Sequence, residues 1–205
     1  MGQNTFSKVF ESSNGYLWVG SSSGLFRFDG KRFQQISSLY YNPNSPADNN
    51  ITDFEEDDAG NLWITGFRYG LTKYNLKTGR FRQYKRLSAD STETYGTPCI
   101  FKDDQGILWI GTAGRGLAKY LPNIDSFQLY YPDLLKATDG SKRAENNVTG
   151  ILQDNNDINI LWLSCLDGLY SFNKKNNAFT YYPFHYPGNE NRNLNHSFCI
   201  EQLQH

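Results

Sequence analysis

Four short segments of the chain place polar and aromatic side chains at one recurring position, just before a Gly-Leu pair. These segments carry Ser22, Arg68, Tyr69, Arg115 and Asp167. A guanidinium group pairs with carboxylate or phosphate oxygens, and a tyrosine stacks through its ring while its hydroxyl forms hydrogen bonds. Such side chains suit a sugar or an anionic glycan bound in a concave site. They also suit solvated loops, and the sequence leaves both interpretations open.

Residues of the types needed for catalysis are present, but they do not form a catalytic motif. The histidines His185, His196 and His205 lie near the C-terminus without the spacing of metal ligands. No Gly-x-Ser-x-Gly segment could form a nucleophile elbow. The run from Gly111 to Gly116 resembles a phosphate-binding loop, but it connects two predicted strands. The sequence therefore predicts no catalytic residue, no metal and no cofactor.

The candidate binding residues belong to a repeat that occurs four times. The segments DDAGNLWITGFRYGLTKYN, starting at Asp57, and DDQGILWIGTAGRGLAKYL, starting at Asp103, are two clear copies. Each copy of the repeat contains one tryptophan, and these are Trp18, Trp63, Trp109 and Trp162, at spacings of 45, 46 and 53 residues. A recurrence at nearly fixed period is typical of repeat architectures. We expect the four tryptophans to occupy equivalent buried sites.

Within one unit, short runs of alternating apolar residues are separated by turns rich in Gly, Asn and Asp. In the second unit these runs include Ile51 to Phe54, Leu62 to Ile64, Leu71 to Tyr74 and Arg80 to Tyr84. Such runs predict four short strands, and no stretch has the apolar spacing of a helix. A unit of about 45 residues with four strands is the size of a β-propeller blade. The sequence therefore predicts an all-β protein, a β-propeller of four-stranded antiparallel blades.

The predicted blades cover residues 5–36, 50–84, 97–131 and 147–182. After them, residues 195–203 resemble the first strand of a fifth unit. The first unit already has its own inner strand, so this extra strand has no obvious partner in the chain. We therefore expect a partial propeller, with four blades and one further strand over residues 1–205.

Antiparallel strands predict where the candidate binding residues lie. The turns between second and third strands and the connections between blades emerge at the same end of the blades. The connections end at Asn50, Asn147 and His196. We therefore expect these three residues to share a ligand-binding face with Arg68, Tyr69, Arg115 and Asp167.

Composition excludes several classes of protein. The chain has 205 residues and a formal net charge of −1, without the basic surface expected of a nucleic-acid-binding protein. It has no apolar stretch of membrane-spanning length and no N-terminal segment of signal-peptide type. Its three cysteines, Cys99, Cys165 and Cys199, fit free buried thiols better than a disulfide.

The units resemble the two-component regulator propeller repeat. That repeat combines an Asp-x-x-Gly turn with Leu-Trp-Ile-Gly-Thr, a Gly-Leu pair and an aromatic strand. The third unit matches it at Asp103, Gly106, Leu108, Trp109, Ile110, Gly111 and Thr112. Departures are Ser12 in place of the turn aspartate, the order Thr65-Gly66, and Leu163-Ser164 with extra residues in the fourth unit.

The resemblance implies a sensor role. Proteins with this repeat are sensors of hybrid two-component systems, common in Bacteroidetes and often encoded beside carbohydrate-utilisation genes. It implies a non-catalytic, periplasmic sensor region that recognises a carbohydrate, although this chain shows no kinase residue. Two alternatives stay open, namely a lyase or hydrolase built on a propeller and a protein-interaction platform.

The partial propeller also predicts self-association. An open arc would expose, at both end blades, sheet surface of the kind that packs on neighbouring blades. Two arcs of four blades could close one ring of about eight, within the usual range for propellers. We expect a homodimer through the end blades, with a tight four-bladed closure as the alternative. The other expected partners are a glycan or another small-molecule ligand and the remaining blades and signalling domains of the parent protein.

Overall fold

The computed structural model describes residues 5–39, 41–87, 96–131, 147–166 and 168–182. Within these ranges the chain forms strands β1 to β16 and no helix. Accordingly, no helix in the described ranges has the length and hydropathy needed to span a membrane. The predicted extra strand at 195–203 lies outside the described residues.

Four successive strands form each sheet. The first two sheets contain β1 (Phe6–Glu11), β2 (Leu17–Ser21), β3 (Gly24–Phe28), β4 (Phe33–Ile36), β5 (Ile51–Glu56), β6 (Asn61–Gly66), β7 (Leu71–Asn75) and β8 (Arg80–Tyr84). The last two contain β9 (Cys99–Lys102), β10 (Leu108–Gly111), β11 (Leu117–Leu121), β12 (Ser126–Tyr130), β13 (Val148–Gln153), β14 (Ile160–Cys165), β15 (Gly168–Asn173) and β16 (Ala178–Tyr182).

Every sheet is an antiparallel meander in which each strand pairs with the next one along the chain. The sheets meet through their first strands, because β5 contacts β1 on one side and β9 on the other, and β9 also contacts β13. This arrangement of blades confirms the predicted propeller fold. We number the blades 1 to 4. The front face of a blade packs on the following blade, and its back face packs on the preceding one.

Three apolar cores fill the spaces between successive blades. Between blades 3 and 4, Trp109 and Leu117 of the front face pack on Leu161, Leu163 and other residues of the back face. Equivalent clusters lie between blades 1 and 2 and between blades 2 and 3. Residues alternate in direction along a strand, so each second strand supplies its tryptophan to one core and the flanking apolar residues to the other.

The tryptophans confirm the repeat, with one exception in burial. Trp18, Trp63 and Trp109 are at most 2% exposed. The indole N–H of each of the four donates to the first residue of the preceding turn, which is Ser12, Asp57, Asp103 or Asp154. Trp162 is only half-buried, so the prediction of four equivalent buried sites is wrong for blade 4. The physical reason is that the other three indoles are each covered by the back face of the following blade.

Polar contacts also recur between blades. The residue after each turn acceptor bonds the last residue of the next blade's inner strand. The pairs are Ser13 with Glu56, Asp58 with Lys102, and Asp104 with Gln153. The side chains differ while the position stays the same, so this contact belongs to the blade geometry and not to one kind of side chain.

A charged cluster joins the outer parts of blades 2 and 3. Asp125 accepts hydrogen bonds from Tyr84 and Tyr120, each at 2.6 Å, and from the Lys73 ammonium at 2.8 Å, and it also pairs with Arg82. Burial alone would raise the pKa of Asp125, but the bonds from Lys73, Tyr120 and Tyr84 lower it to about 2. This carboxylate stays ionised and connects the two blades.

Two of the three cysteines lie in the described residues. Cys99 and Cys165 are both buried thiols outside any disulfide, as predicted. Burial raises the pKa of the Cys99 thiol well above its usual value, so it behaves as an apolar side chain of the core between blades 3 and 4. Cys199 lies outside the described residues.

Candidate functional site

The turn between β6 and β7 carries Arg68 and Tyr69 and is held by a buried carboxylate. Asp48 is 7% exposed and lies in the connection from blade 1 to blade 2. Its Oδ2 accepts the backbone N–H groups of Arg68 at 2.7 Å and Tyr69 at 3.1 Å. Its Oδ1 accepts the N–H of Asn50 at 3.0 Å. One buried side chain therefore fixes both the turn and the start of the inner strand.

Two glycines let this turn approach the connection closely. A Cβ on Gly66 would lie 2.5 Å from the Cβ of Asp48. Gly70 has φ +85°, a backbone conformation that other residues rarely adopt, and a Cβ there would meet the carbonyl of Tyr84. The backbone of the turn is thus confined from both sides.

The side chains of this turn point to solvent. Phe67 is 56% exposed, Tyr69 is 50% exposed, and Arg68 between them is also exposed. Exposed aromatic rings on a fixed turn offer an apolar surface whose backbone is already ordered before a ligand binds. We call Phe67, Arg68 and Tyr69 the aromatic turn.

The corresponding turn of blade 3 contains Arg115. Its backbone N–H donates to the Thr112 hydroxyl at 3.0 Å, and Gly114 and Gly116 have φ values of +92° and +71°. Arg115 is half-buried and has further interactions within the molecule. Its guanidinium is therefore less available to a ligand than that of Arg68.

Backbone hydrogen bonds place these turns and the blade connections at one end of the molecule. Phe67 N donates to Asn50 O at 2.9 Å, and Val148 N, next to Asn147, donates to Thr112 O at 3.0 Å. Ala113 N donates to the carbonyl of Gly96, in the connection between blades 2 and 3. The structure thus brings Arg68, Tyr69, Arg115, Asn50 and Asn147 to the same end. Asp167 and His196 lie outside the described residues, and a binding role for the whole set stays a prediction.

The sequence did not reveal Asp48 or Phe67. Asp48 lies in an irregular connection, SPADNN, where no periodicity indicates which side chain turns inward. Its partners are 20 and 21 residues away along the chain. The available signal for Phe67 was its apolar side chain in a turn. Because β6 ends at Gly66, Phe67 is not needed for the core of the blade.

A second group of charged residues lies between the inner strands. Lys8 of β1 pairs with Asp53 of β5 at 3.2 Å, and the Ile100 N–H of β9 donates to Asp53 at 3.2 Å. Glu55 accepts the N–H of Lys102 at 3.4 Å. Burial raises the pKa of Glu55 to about 7, against the opposing effect of that N–H. These carboxylates cap backbone donors of the next blade, which is a structural task.

Among the described residues, no cluster of three or more His, Cys, Asp and Glu side chains could hold a metal ion. Glu55, whose pKa is raised to about 7, is placed against backbone and beside Asp53 and Lys102. The described part of the chain therefore offers the aromatic turn as its most exposed and best-held candidate binding element.

Comparison with known proteins identifies the repeat. A sequence model described as two-component regulator propeller matches residues 45–68 and 93–114. The first segment ends at Arg68, within the aromatic turn, and the second ends at Gly114, next to Arg115. The chain carries two-component regulator propeller repeats. Each matched segment runs from a blade connection through the inner strand to just past the end of the second strand. The first segment includes Asp48, and the second includes Thr97, whose hydroxyl accepts the Gly66 N–H and donates to the Gly70 carbonyl on either side of the aromatic turn.

Relatives agree with this assignment. Over 75 residues the chain is 33% identical to histidine kinase P4 of Formosa agariphila, a match that covers 34% of this chain and 6% of that protein. The extracellular domain of BT3049, assigned as a hybrid two-component system of B. thetaiotaomicron, superposes with a TM-score of 0.73 at 21% identity, over 92% of this chain and 26% of that one. An ancestral GH74 enzyme superposes with a TM-score of 0.61 at 15% identity, over 87% of this chain and 24% of that one. The chain thus spans a small part of each relative, and these two structural matches show a shared fold.

Proposed function

We propose that this chain is the non-catalytic, ligand-sensing part of an extracytoplasmic two-component sensor and that it recognises a carbohydrate through the aromatic turn. The observation that carries the proposal is the bonding of buried Asp48 to the N–H groups of Arg68 and Tyr69. This bonding fixes the backbone that carries two exposed rings and a guanidinium. The repeat assignment and the kinase relative support the sensor role, and the site chemistry supports the ligand class.

Each side chain of the aromatic turn has a part in binding a sugar. The C–H face of a pyranose packs on an aromatic ring, which Phe67 and Tyr69 supply. Arg68 donates several hydrogen bonds in a fixed plane, which suits hydroxyl groups or the carboxylate of an acidic sugar. Because the backbone of the turn is already ordered, little backbone conformational entropy is lost when a ligand binds.

Calorimetric titration with a panel of neutral and acidic oligosaccharides tests the proposal. We expect a binder in the panel and about a tenfold weaker affinity for Tyr69→Ala and for Phe67→Ala, which corresponds to about 1.4 kcal/mol each. Phe33→Ala is the matched control, because Phe33 is 65% exposed on the outer strand of blade 1 and lies away from the turn. An equal loss of oligosaccharide affinity in Phe33→Ala would contradict the assignment of the site to the aromatic turn.

The same mixtures distinguish the alternatives. We expect every oligosaccharide to be recovered intact after incubation, as a sensor requires. Shortened or unsaturated products would identify the hydrolase or lyase, and the structural match to a GH74 enzyme makes an enzyme the alternative to exclude. Failure of the whole panel to bind would contradict the carbohydrate ligand and favour the protein-interaction platform.

A further inference from the structure

One charged residue interrupts the pattern of the inner strands. In the ladder between the first and second strands of a blade, the residue opposite the tryptophan lies on the same face as its ring. In three blades this residue is apolar, namely Phe10, Phe101 and Leu152. In blade 2 it is Glu55, opposite Trp63. Blade 2 therefore places a carboxyl group where the other blades place an apolar side chain.

The carboxyl group of Glu55 lies in the interface between blades 2 and 3. Its equivalents Phe10 and Phe101 pack against the apolar cores in front of their own blades. Glu55 is half-buried, and its Oε1 accepts the Lys102 N–H of β9 at 3.4 Å. The carboxyl group thus contacts the inner strand of the next blade and is partly removed from water.

Two cations act on Glu55, and each is paired with a different carboxylate. Lys8 of β1 bonds Asp53 at 3.2 Å, and the Lys102 ammonium bonds Asp58 at 3.3 Å. Within the described ranges Glu55 takes part in no ion pair. Its negative charge therefore has no cation of its own in the interface.

Two carboxylates flank Glu55 along the chain. Asp53 accepts the Ile100 N–H of β9 at 3.2 Å, and Asp57 accepts the Trp63 indole N–H at 2.8 Å. On β6, Trp63 stands opposite Glu55 and carries no charge. Burial raises the pKa of Glu55 to about 7, and the charge of Asp53 acts in the same direction. Glu55 therefore changes its charge near neutral pH.

We propose that the interface between blades 2 and 3 is a pH-sensitive joint, in which protonated Glu55 fits between the blades and ionised Glu55 weakens the contact between β5 and β9. The protonated carboxyl group brings no charge into the interface, like the apolar residues of the other blades. The ionised group must lose water there beside Asp53. Because these two blades carry the aromatic turn and Arg115, pH sets how firmly the two turns are held together.

Proton linkage gives the direction of the effect. A glutamate whose pKa is raised in the folded state binds more protons in the folded than in the unfolded chain. Its contribution to stability is therefore full below the unfolded pKa of about 4. That contribution is lost as pH rises through the folded pKa of about 7. The joint should be firmest in mild acid and weaker above neutral pH.

Urea unfolding of the full chain from about pH 5 to about pH 8 tests the joint. Glu55→Gln keeps the shape of the side chain and cannot ionise. The unfolding equilibrium constant of this variant, divided by that of the unaltered protein, should fall at least about tenfold over this range. Glu55→Leu, which introduces the side chain of blade 4, should show the same trend. A ratio that stays constant or rises with pH would overturn the proposal.

The matched control is the neighbouring glutamate. Glu56 faces the turn of blade 1, where it accepts the Ser13 N–H at 2.7 Å. The corresponding ratio for Glu56→Gln should stay constant over the same pH range. Near-ultraviolet circular dichroism checks that each variant is folded. An equal fall for Glu56→Gln would overturn the assignment of the effect to Glu55.

Hydrogen exchange locates the effect within the molecule. The Thr97 N–H donates to the Gly66 carbonyl across the interface between blades 2 and 3, and the Val148 N–H donates to the Thr112 carbonyl across the next interface. As pH rises from about 6 to about 8, the protection factor of the Thr97 N–H should fall at least about threefold, and that of the Val148 N–H should stay constant. In Glu55→Gln both should stay constant. A protection factor of Thr97 that does not fall, or an equal fall at both amides, would overturn the joint.

Discussion

The turns before Trp109 in blade 3 and before Trp18 in blade 1 both supply a hydrogen-bond acceptor for the indole N–H, but with different side chains. In blade 3, Asp103 is 3% exposed and its Oδ2 accepts both the Trp109 indole N–H at 2.9 Å and the Lys174 ammonium of blade 4 at 2.7 Å. In blade 1, Ser12 is also 3% exposed and accepts the Trp18 indole N–H at 2.9 Å. The residue of blade 2 that corresponds to Lys174 is Leu76, which packs against the apolar core.

The difference shows what the repeat requires at this position. Both side chains give the indole an acceptor, and both stabilise the turn, Asp103 by accepting the N–H groups of Gln105 and Ile107 and Ser12 by bonding Asn14. A negative charge is therefore optional. In blade 3 the charge is buried and the next blade supplies a cation, whereas in blade 1 the acceptor is neutral and the next blade supplies Leu76. In blade 2 the acceptor Asp57 is only half-buried, and Pro122 stands at the corresponding position of the next blade.

Removing the buried carboxylate should have the largest effect. Asp103→Ala leaves the Trp109 indole, two turn N–H groups and the buried Lys174 ammonium without their acceptor. We expect a loss of about 3–5 kcal/mol in the free energy of unfolding, as for other buried ion pairs from which one partner is removed. Urea denaturation followed by fluorescence measures it.

The control for this change is the adjacent aspartate. Asp104 is exposed and bonds Gln153 across the blade interface, so Asp104→Ala should cost at most about 1 kcal/mol. Similar losses in both variants would mean that the charge at Asp103 matters no more than a surface contact.

Placing a charge in the neutral site tests the comparison from the other side. Ser12→Asp would bury a carboxylate opposite Leu76 and close to Glu56, which already bonds Ser13. We expect a loss of about 2–3 kcal/mol in the free energy of unfolding. The double variant Ser12→Asp with Leu76→Lys should recover part of that loss, since it recreates the pair found in blades 3 and 4. If Ser12→Asp alone raised the free energy of unfolding, a carboxylate at this position would stabilise the blade without a cation from the next blade.

Much of this comparison could be predicted from the sequence, and part of it could not. The tryptophans and their turns were predictable because one local pattern occurs four times, and Ser12 was visible as a departure from it. Lys174 was not predictable as the partner of Asp103, because the two residues are 71 positions apart and meet only when two blades pack. The role of Asp48 was not predictable for the same reason, since its N–H partners belong to a different structural element. Local periodicity specifies a blade, and contacts between blades depend on the assembled sheets.

Acid should weaken the charged site selectively. Burial by itself would raise the pKa of Asp103, but hydrogen bonds from Lys174, Trp109 and the Ile107 N–H bring it below its usual value. A carboxyl with a lowered pKa in the folded state adds stability above the unfolded pKa of about 4, and this is lost as pH falls through the folded pKa.

Lys174→Met isolates that contribution. At neutral pH we expect a loss of about 1–2 kcal/mol, because Asp103 keeps its other three donors. The difference in free energy of unfolding between Lys174→Met and the unaltered protein should become smaller as pH falls below about 4, because a protonated Asp103 no longer attracts the ammonium. Lys175→Met is the matched control, because Lys175 is exposed on the same turn. A difference that stays constant from pH 7 to pH 3 would show that Lys174 acts through packing alone.

The smallest effect is expected at the neutral site. Ser12→Ala removes the acceptor of the Trp18 indole without leaving a charge behind, so only one buried donor loses its partner. We expect a loss of about 1 kcal/mol in the free energy of unfolding, the usual value for a neutral hydrogen bond. The cost stays low because no residue of blade 2 depends on the Ser12 hydroxyl in the way that Lys174 of blade 4 depends on Asp103. Thermal and urea unfolding of Ser12→Ala and Asp103→Ala side by side measure the ratio of their losses in free energy of unfolding. Equal losses would mean that the indole bond, common to both sites, dominates and that the pair between blades 3 and 4 adds nothing.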